Sequence, residues 1–313
     1  MSAEMGRAAL AAGAPRLDEV DRAILRTVTY AALFESPLEL DELQRGLMDV
    51  ALDAEELRRR LQRPPLSSRL TLRDGLVHPR GRDGWRELRA RRRGHTRILV
   101  ERHRRALAVL ARCPFVRLAA LSGACAHDNA SDLDDDVDVF LVARESRVWA
   151  VYLLLVVASR LLGVRRSLCL NYLIDERALA LPERDVFTAA EIVGLRPLAG
   201  GDGYRDFVRA NGPLLESFPN FLAGFEETAA ALPRAGARPW LERLLDWTVA
   251  PLLEVLSRRV MGARLRRKGQ GHPGVVLTPH RLKLHAEDHR PRLMAAFTAA
   301  LARAEAAPAE DEG

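Results

Sequence analysis

Apolar residues at Leu17, Val20, Ile24, Val28 and Ala31 recur at three- and four-residue spacings, which predicts an amphipathic helix over 17–34 that Ser36-Pro37 ends. A second, short helix is expected over 39–48. A third is expected over 54–62, with Asp53 as its N-cap and Glu56 three residues on in the manner of a capping box, and Pro64-Pro65 closes it. Leu70-Thr71-Leu72 and Leu76-Val77-His78 flank Arg73-Asp74-Gly75 and read as two strands around an Asp-Gly turn. Three helices and a hairpin make a winged-helix pattern over 17–80, behind an alanine-rich start at 1–16 that is expected to be disordered.

From Trp85 to Ala111 the pattern is one long helix dense in arginine, with Arg86, Arg89, Arg91, Arg92, Arg93 and, further on, Arg97, Arg102, Arg104 and Arg105. A solvated connector over 81–112 and a phosphate-binding face both fit that density. Then Phe115–Ser122, Val137–Val142 and Ser167–Ile174 are apolar runs of strand character, with helical 147–162 between the last two. Strand, loop, strand, helix, strand predicts an α/β core over 113–180. Beyond it, Pro and Gly punctuate the chain to Asn220, and helical patterns return at 240–261 and 288–304. Residues 181–304 therefore read as mainly helical C-terminal helices, and 305–313 as an acidic tail. The fold class expected is α/β (α+β), with a small mixed sheet.

The longest apolar run, Val148–Ala158, has eleven residues, short of the ~20 that cross a bilayer. It reads as a buried helix, with a membrane-associated helix as the alternative. No secretory pattern opens the chain. Cys113, Cys125 and Cys169 stand singly, so neither a disulfide framework nor a zinc ribbon is supported, and a reducing cytoplasm is the expected setting. At 313 residues, with 48% apolar and 29% charged, the chain can bury a core and fill two or three domains. The formal charge of +6 is small beside 48 basic and 42 acidic residues, so net charge names no partner. Lysine occurs only at Lys268 and Lys283, a bias of composition more than of arginine chemistry.

Chemistry concentrates between Leu121 and Val142. A small-residue turn, Ser122-Gly123-Ala124, leaves one strand, and an acidic cluster enters the next. Alternation along a strand sets Asp136 and Asp138 on one face, while Val137, Val139 and Leu141 point to the core. Two adjacent carboxylates repel and lose solvent unless a cation sits between them, so a divalent metal is the natural partner. Gly123-Ala124 lets backbone N–H groups approach an anion. A metal beside an anion cradle suits a nucleoside triphosphate.

These residues resemble the DNA polymerase beta-type nucleotidyltransferase superfamily, whose signature is Gly followed by Gly or Ser, a spacer of roughly ten residues, and Asp-x-Asp in an apolar strand. Here Gly123-Ala124, eleven residues from Cys125 to Asp135, and Asp136-Val137-Asp138 match it. The wider order, with Leu168-Cys169-Leu170-Asn171-Tyr172 and the stretch Asn211 to Asn220, is similar to bacterial nucleotidyltransferase-domain proteins that place a winged helix ahead of the core. Two departures stand out: Ala124 supplies no hydroxyl where the family has Ser or Gly, and Asn171 puts an amide where a third carboxylate is expected. Asp175, four residues on and on the same strand face as Asn171, is the substitute.

The resemblance implies a Mg2+-dependent nucleotidyltransferase, with one or two ions, that moves a nucleoside monophosphate from a nucleoside triphosphate to an acceptor such as a protein, an RNA or a small molecule. Asp136 and Asp138 would hold metal, Ser122, Gly123 and Ala124 the triphosphate, and Asp175 would take the acceptor's proton. The competing class is a catalytically degenerate nucleotide-binding, regulatory protein whose winged helix contacts DNA or a protein partner. Other readings of the same residues fall away. Asp132-x-Asp134-x-Asp136 starts like a calcium loop but has Val137 where Gly is needed and Ala143 where Glu is needed. His285 and His289 are spaced like zinc-protease ligands, but Glu287 is one place late. Asp134 and Asp135 read as a solvated loop, and His127 as a loop residue near enough to touch a nucleotide. Arg58, Arg59 and Arg60 are crowded by Asp49, Asp53, Glu55 and Glu56, so specific DNA binding is not expected and the N-terminal module is read as packing against the core.

Overall fold

The computed structural model describes residues 16–270, 272, 274–284 and 289–306, in a mixture of helix and strand. The alanine-rich start to residue 15, the tail from 307, and the span 285–288 holding His285 and Glu287 lie outside the described residues. The chain divides into two compact units, one with the residues up to Arg89, Ser217–Phe221 and those from Pro291, the other with Ala90–Glu216 and Leu222–Arg290.

The first unit runs α1 (Glu19–Ala32), β1 (Leu38–Glu39), α2 (Leu40–Arg45), α3 (Ala54–Leu61), β2 (Leu70–Arg73) and β3 (Leu76–Pro79). The strand β1, which the sequence pattern does not announce, pairs with β3 and makes a three-stranded antiparallel sheet in the order β1-β3-β2. Asp74 and Gly75 both have positive φ, 52° and 79°, as the two-residue turn of a twisted hairpin needs. Ile24, Val28, Leu43, Leu57 and Val77 close the core beneath the sheet. Asp53 caps α3, accepting from the Glu56 N–H at 2.8 Å. Only half of the expected capping box forms, because the Glu56 carboxylate turns to Arg59 and Arg60 instead of back to Asp53.

The second unit is built on a six-stranded sheet. The long α4 (Trp85–Ala111) leads into β4 (Val116–Leu121), the one-turn α5 (Gly123–Ala126), β5 (Val137–Ala143), α6 (Val148–Leu161) and β6 (Leu168–Asp175). There follow α7 (Val186–Gly194), β7 (Arg196–Ala199), α8 (Gly201–Ala210), α9 (Gly212–Leu215), α10 (Pro219–Ala231), α11 (Pro239–Thr248) and α12 (Ala250–Gly269). Strands β8 (Val275–Leu277) and β9 (Arg281–Leu284) close the second unit's sheet, and helix α13 (Arg290–Ala306), part of the first unit from Pro291 on, completes the described chain. Strand order is β7-β4-β5-β6-β9-β8, with β5 and β6 parallel and every other pair antiparallel. The region read as helical from 181 thus also supplies three short strands: β7 and β9 pair with β4 and β6, far away in sequence, and β8 pairs with β9 in a local hairpin. The single helix expected over 240–261 is two, because Pro251 has no N–H to continue α11 and instead opens α12.

Alternation on β5 sorts its side chains as expected. Val137, Val139 and Leu141 join Leu99 and Leu107 of α4 and Trp149 and Leu155 of α6 in one buried core. On the other face Phe140 packs on Phe207 of α8, ring centroids 4.8 Å apart, and edge-on to Tyr172 at 5.4 Å. Asp138 precedes Phe140 on that second face. Asn211 and Asn220 are hydrogen-bond hubs. Buried Asn211 binds the Leu181 N–H and the Leu179 and Phe207 carbonyls, and Asn220, in the first unit, ties Gln44 to Leu52.

Candidate active site

The turn after β4 is locked onto β5. The Ser122 N–H donates to the Asp138 carbonyl at 3.0 Å, and Gly123 adopts φ +59°, a conformation that favours glycine. A Cβ at Gly123 would sit 2.7 Å from Asp138 Oδ2. Glycine is therefore required there twice over, by its backbone and by a carboxylate pressed against it. The turn and the Asp-x-Asp pair, eleven residues apart in sequence, form one site.

The loop from 127 to 136 is held from within and from outside. The Ala124 carbonyl accepts from the His127 and Asn129 N–H groups at 3.2 and 2.9 Å. Asp135 accepts from the Ser131 N–H at 2.9 Å and Asp132 from the Asp134 N–H at 2.8 Å, so these two acids shape the loop, while Asp134 stays exposed. The arginine-rich α4 lies along the loop. Arg92 binds Asn129 at 3.2 Å, Thr96 accepts from the Ala130 N–H at 3.2 Å, and Arg102 binds the Leu133 carbonyl at 3.1 Å. This helix is more than a connector, since it clasps the loop that delivers Asp136.

The neighbouring strand supplies the partners of both carboxylates. In register, Asp138 faces Cys169 and Phe140 faces Tyr172, so β6 carries an extra residue in between. Such a bulge re-aims side chains. Cys169 and Asn171 come to the acidic face, while Leu170 and Leu173 both enter the core. The Cys169 thiol donates to Asp136 Oδ2 at 3.0 Å and the Asn171 amide to Asp138 Oδ1 at 2.9 Å. Burial, then the adjacent Asp136, pushes the Cys169 thiol up to about 12, so it remains a protonated donor. Buried Cys125, raised to about 11 mainly by loss of solvent, lies 3.8 Å from the Asp136 carbonyl.

Asp138 is pushed up to about 6, first by loss of solvent and then by the charge of Asp136, against the Asn171 hydrogen bond. A third carboxylate shares this field. Glu191 on α7 is raised to about 7, by loss of solvent first and then by the negative charge of Asp138, with Lys283 opposing. Helix α7 closely approaches the loop, since a Cβ on Gly194, one turn after Glu191, would fall 2.2 Å from the His127 ring. Sequence reasoning passed over Glu191. Its one available signal is that it is the sole charged residue of an otherwise uncharged, largely apolar helix, VFTAAEIVG.

Asp175 is not part of this arrangement. It pairs in register with Ala143, five residues past Asp138 on β5, roughly 16 Å along the strand. Fully buried, it accepts from the Ser146 N–H at 2.8 Å and the Arg177 N–H at 3.0 Å and lies 2.9 Å from His280 Nδ1. Its place as the acceptor's base is corrected by its position at the far end of β6, where it fixes the β5–α6 connection. The structure brings together Ser122, Gly123, Ala124, Asp136 and Asp138. The Ser122 side chain makes no capping hydrogen bond.

Among the described residues, no group of three or more His, Cys, Asp or Glu is arranged to hold a metal ion. The donor chemistry nevertheless fits Mg2+, which takes one or two carboxylates and completes its shell with water and phosphate oxygens. Asp138, half-buried beside a second acid and served by one neutral donor, is the carboxylate such an ion would relieve. No family model, curated protein or solved structure matches the chain.

Proposed function

We propose that the protein is a Mg2+-dependent nucleotidyltransferase, transferring a nucleoside monophosphate from a nucleoside triphosphate to an acceptor hydroxyl or amine. The observation that carries this reading is the contact between Gly123 and Asp138, which makes the anion turn and the carboxylate pair one site. Asp136 and Asp138 hold the ion, which when bound neutralises charge on the phosphate oxygens. The Ser122-Gly123-Ala124 turn receives the triphosphate. An acceptor oxygen or nitrogen attacks the α-phosphorus, its bond to the bridging oxygen breaks, and pyrophosphate leaves. Glu191, with a carboxyl raised to about 7, takes the acceptor's proton, as a base tuned to the working pH does best.

One observation favours the degenerate, nucleotide-sensing alternative: Asn171 occupies the strand position expected for a third acid and is committed to Asp138. Glu191 separates the two readings. Calorimetry of the full chain should show ATP affinity rising with Mg2+ and collapsing in the double variant Asp136→Asn, Asp138→Asn. Unchanged affinity in that variant would refute the site. Glu191→Gln should bind ATP as the wild type does and release no pyrophosphate when offered a lysate as acceptor source. A wild type that binds Mg2+-ATP but transfers nothing to any acceptor is the sensor.

The first unit is read as a winged-helix module that contacts protein. Arg60 is engaged by Asp18, Asp21 and Glu56, and Arg59 by Glu56, which supports a role other than reading DNA.

A further inference from the structure

Helices α11 and α12 carry three carboxylates, and all three turn into the second unit. Glu242 accepts from the Phe115 N–H at 2.8 Å and Arg117 Nη2 at 3.0 Å, and Asp246 pairs with Arg144 at 3.0 Å and with Arg147. Glu254 accepts from the Ala150 and Trp149 N–H groups at 2.8 and 3.2 Å, capping α6. What remains outside is apolar and cationic. On α11, Trp240, Leu244 and Trp247 share one face, with Trp247 88% exposed. On α12, Leu252, Val255, Leu256 and Val260 form an exposed stripe, with Leu252 69% exposed, and the same face continues as Arg259, Arg266 and Arg267. Leu161, 83% exposed at the end of α6, belongs to the helix on which α12 packs. Arg243, Arg258 and Arg264 are also exposed.

Two bare tryptophans and an aliphatic stripe in water mark an interaction surface. Charge decides what covers it. A two-fold contact with a second copy would set this arginine-rich, carboxylate-free face against itself. An anionic headgroup layer supplies the missing negative charge, and tryptophan with aliphatic side chains beside arginine is the composition of helices that lie in a bilayer interface. Among the described residues no helix is long and apolar enough to cross a membrane, so the fit is to a surface. We propose that the outer face of α11 and α12 is a peripheral docking surface for an anionic lipid bilayer, with Trp240, Trp247 and Leu252 entering the headgroup boundary and the arginines of α12 meeting the headgroups. Helix α6, on which α12 packs, covers the sheet face opposite Asp138, so docking leaves the carboxylates facing water. This inference is independent of the nucleotidyl-transfer reading.

The test is co-sedimentation of the full-length protein with vesicles of phosphatidylcholine alone or mixed with phosphatidylglycerol. Binding should be at least about tenfold stronger on the anionic vesicles and should weaken with added salt. Trp240→Ala with Trp247→Ala, and separately Arg266→Glu with Arg267→Glu, should each lower it by about tenfold or more, with the thermal melt of the exposed-residue variants unchanged. Equal or absent sedimentation on the two vesicle types would overturn the proposal. So would a wild-type dimer in solution that the double tryptophan variant turns into a monomer, which would give the face to a second copy.

Discussion

Asp138 and Asp175 lie on adjacent parallel strands and differ in almost everything that decides what a carboxylate does. Asp175 is fully buried, receives two backbone N–H groups and stands against His280. Asp138 is half-buried, receives one side-chain amide, and looks at Asp136 and beyond it at Asp135 and Glu191. A buried acid with its oxygens served by backbone donors is part of the framework. An acid short of donors and facing other acids is held in readiness for a cation from outside. The sequence pattern assigns both aspartates to one site, and their partners and their places on the sheet separate them.

The largest effect expected from breaking this contrast is at the saturated end. Asp175→Asn keeps an acceptor oxygen for one of its two backbone donors but sets amide hydrogens against the other, and should lower stability by about 2–4 kcal/mol, read from urea unfolding. At the starved end the sign reverses. Asp138→Asn should raise the stability of the metal-free protein by about 1–3 kcal/mol at pH 7.5, because it removes a charge that burial and Asp136 disfavour.

The pH dependence sharpens the same point. The folded-state carboxyls of Asp138 and Glu191 are raised, to about 6 and about 7, above model values of 3.8 and 4.5. Their contribution to stability is therefore present below about pH 4 and is lost as pH climbs through about 6 to 7. Metal-free wild type should lose stability over that window, and both Mg2+ and Asp138→Asn should flatten the loss. The smallest stability effect is expected for Gly123→Ala, about 1–2 kcal/mol from the positive φ. Its consequence for the site is larger than that figure suggests. The added Cβ displaces Asp138 Oδ2, so Mg2+-ATP affinity should fall by about tenfold or more, while Ala124→Ser leaves it intact or improves it.

How far the sequence reaches follows from which interactions are local. Alternating Val137, Val139 and Leu141 placed β5 and its two acids correctly, because a strand's faces are set by its own period. Asp53, Asp74-Gly75 and the uninterrupted helix from Trp85 to Ala111 are local in the same sense. Strands β7 to β9 were missed because each is only three or four residues long and β7 and β9 join the sheet through distant partners, β4 and β6, so no periodicity within 181–304 announces them. The β6 bulge moved Asn171 onto Asp138 by a shift of register visible only against β5. Glu191 reaches the acidic face from a helix more than fifty residues after Asp138. Asp175 was misassigned because the bulge breaks the alternation after Asn171: Leu173 and, two residues on, Asp175, paired with Ala143, fall on the core side of the sheet and five positions along from Asp138.

The central claim, that Gly123, Asp136 and Asp138 form one metal-nucleotide site, is tested most directly by a crystal structure of the full chain soaked with Mn2+ and a triphosphate analogue that cannot be cleaved at the α-phosphorus. The account predicts an anomalous Mn2+ peak bonded to the carboxylates of Asp136 and Asp138, with phosphate density against the Ser122-Gly123-Ala124 turn. Nucleotide and metal bound elsewhere, with Asp138 still held only by Asn171, would contradict it.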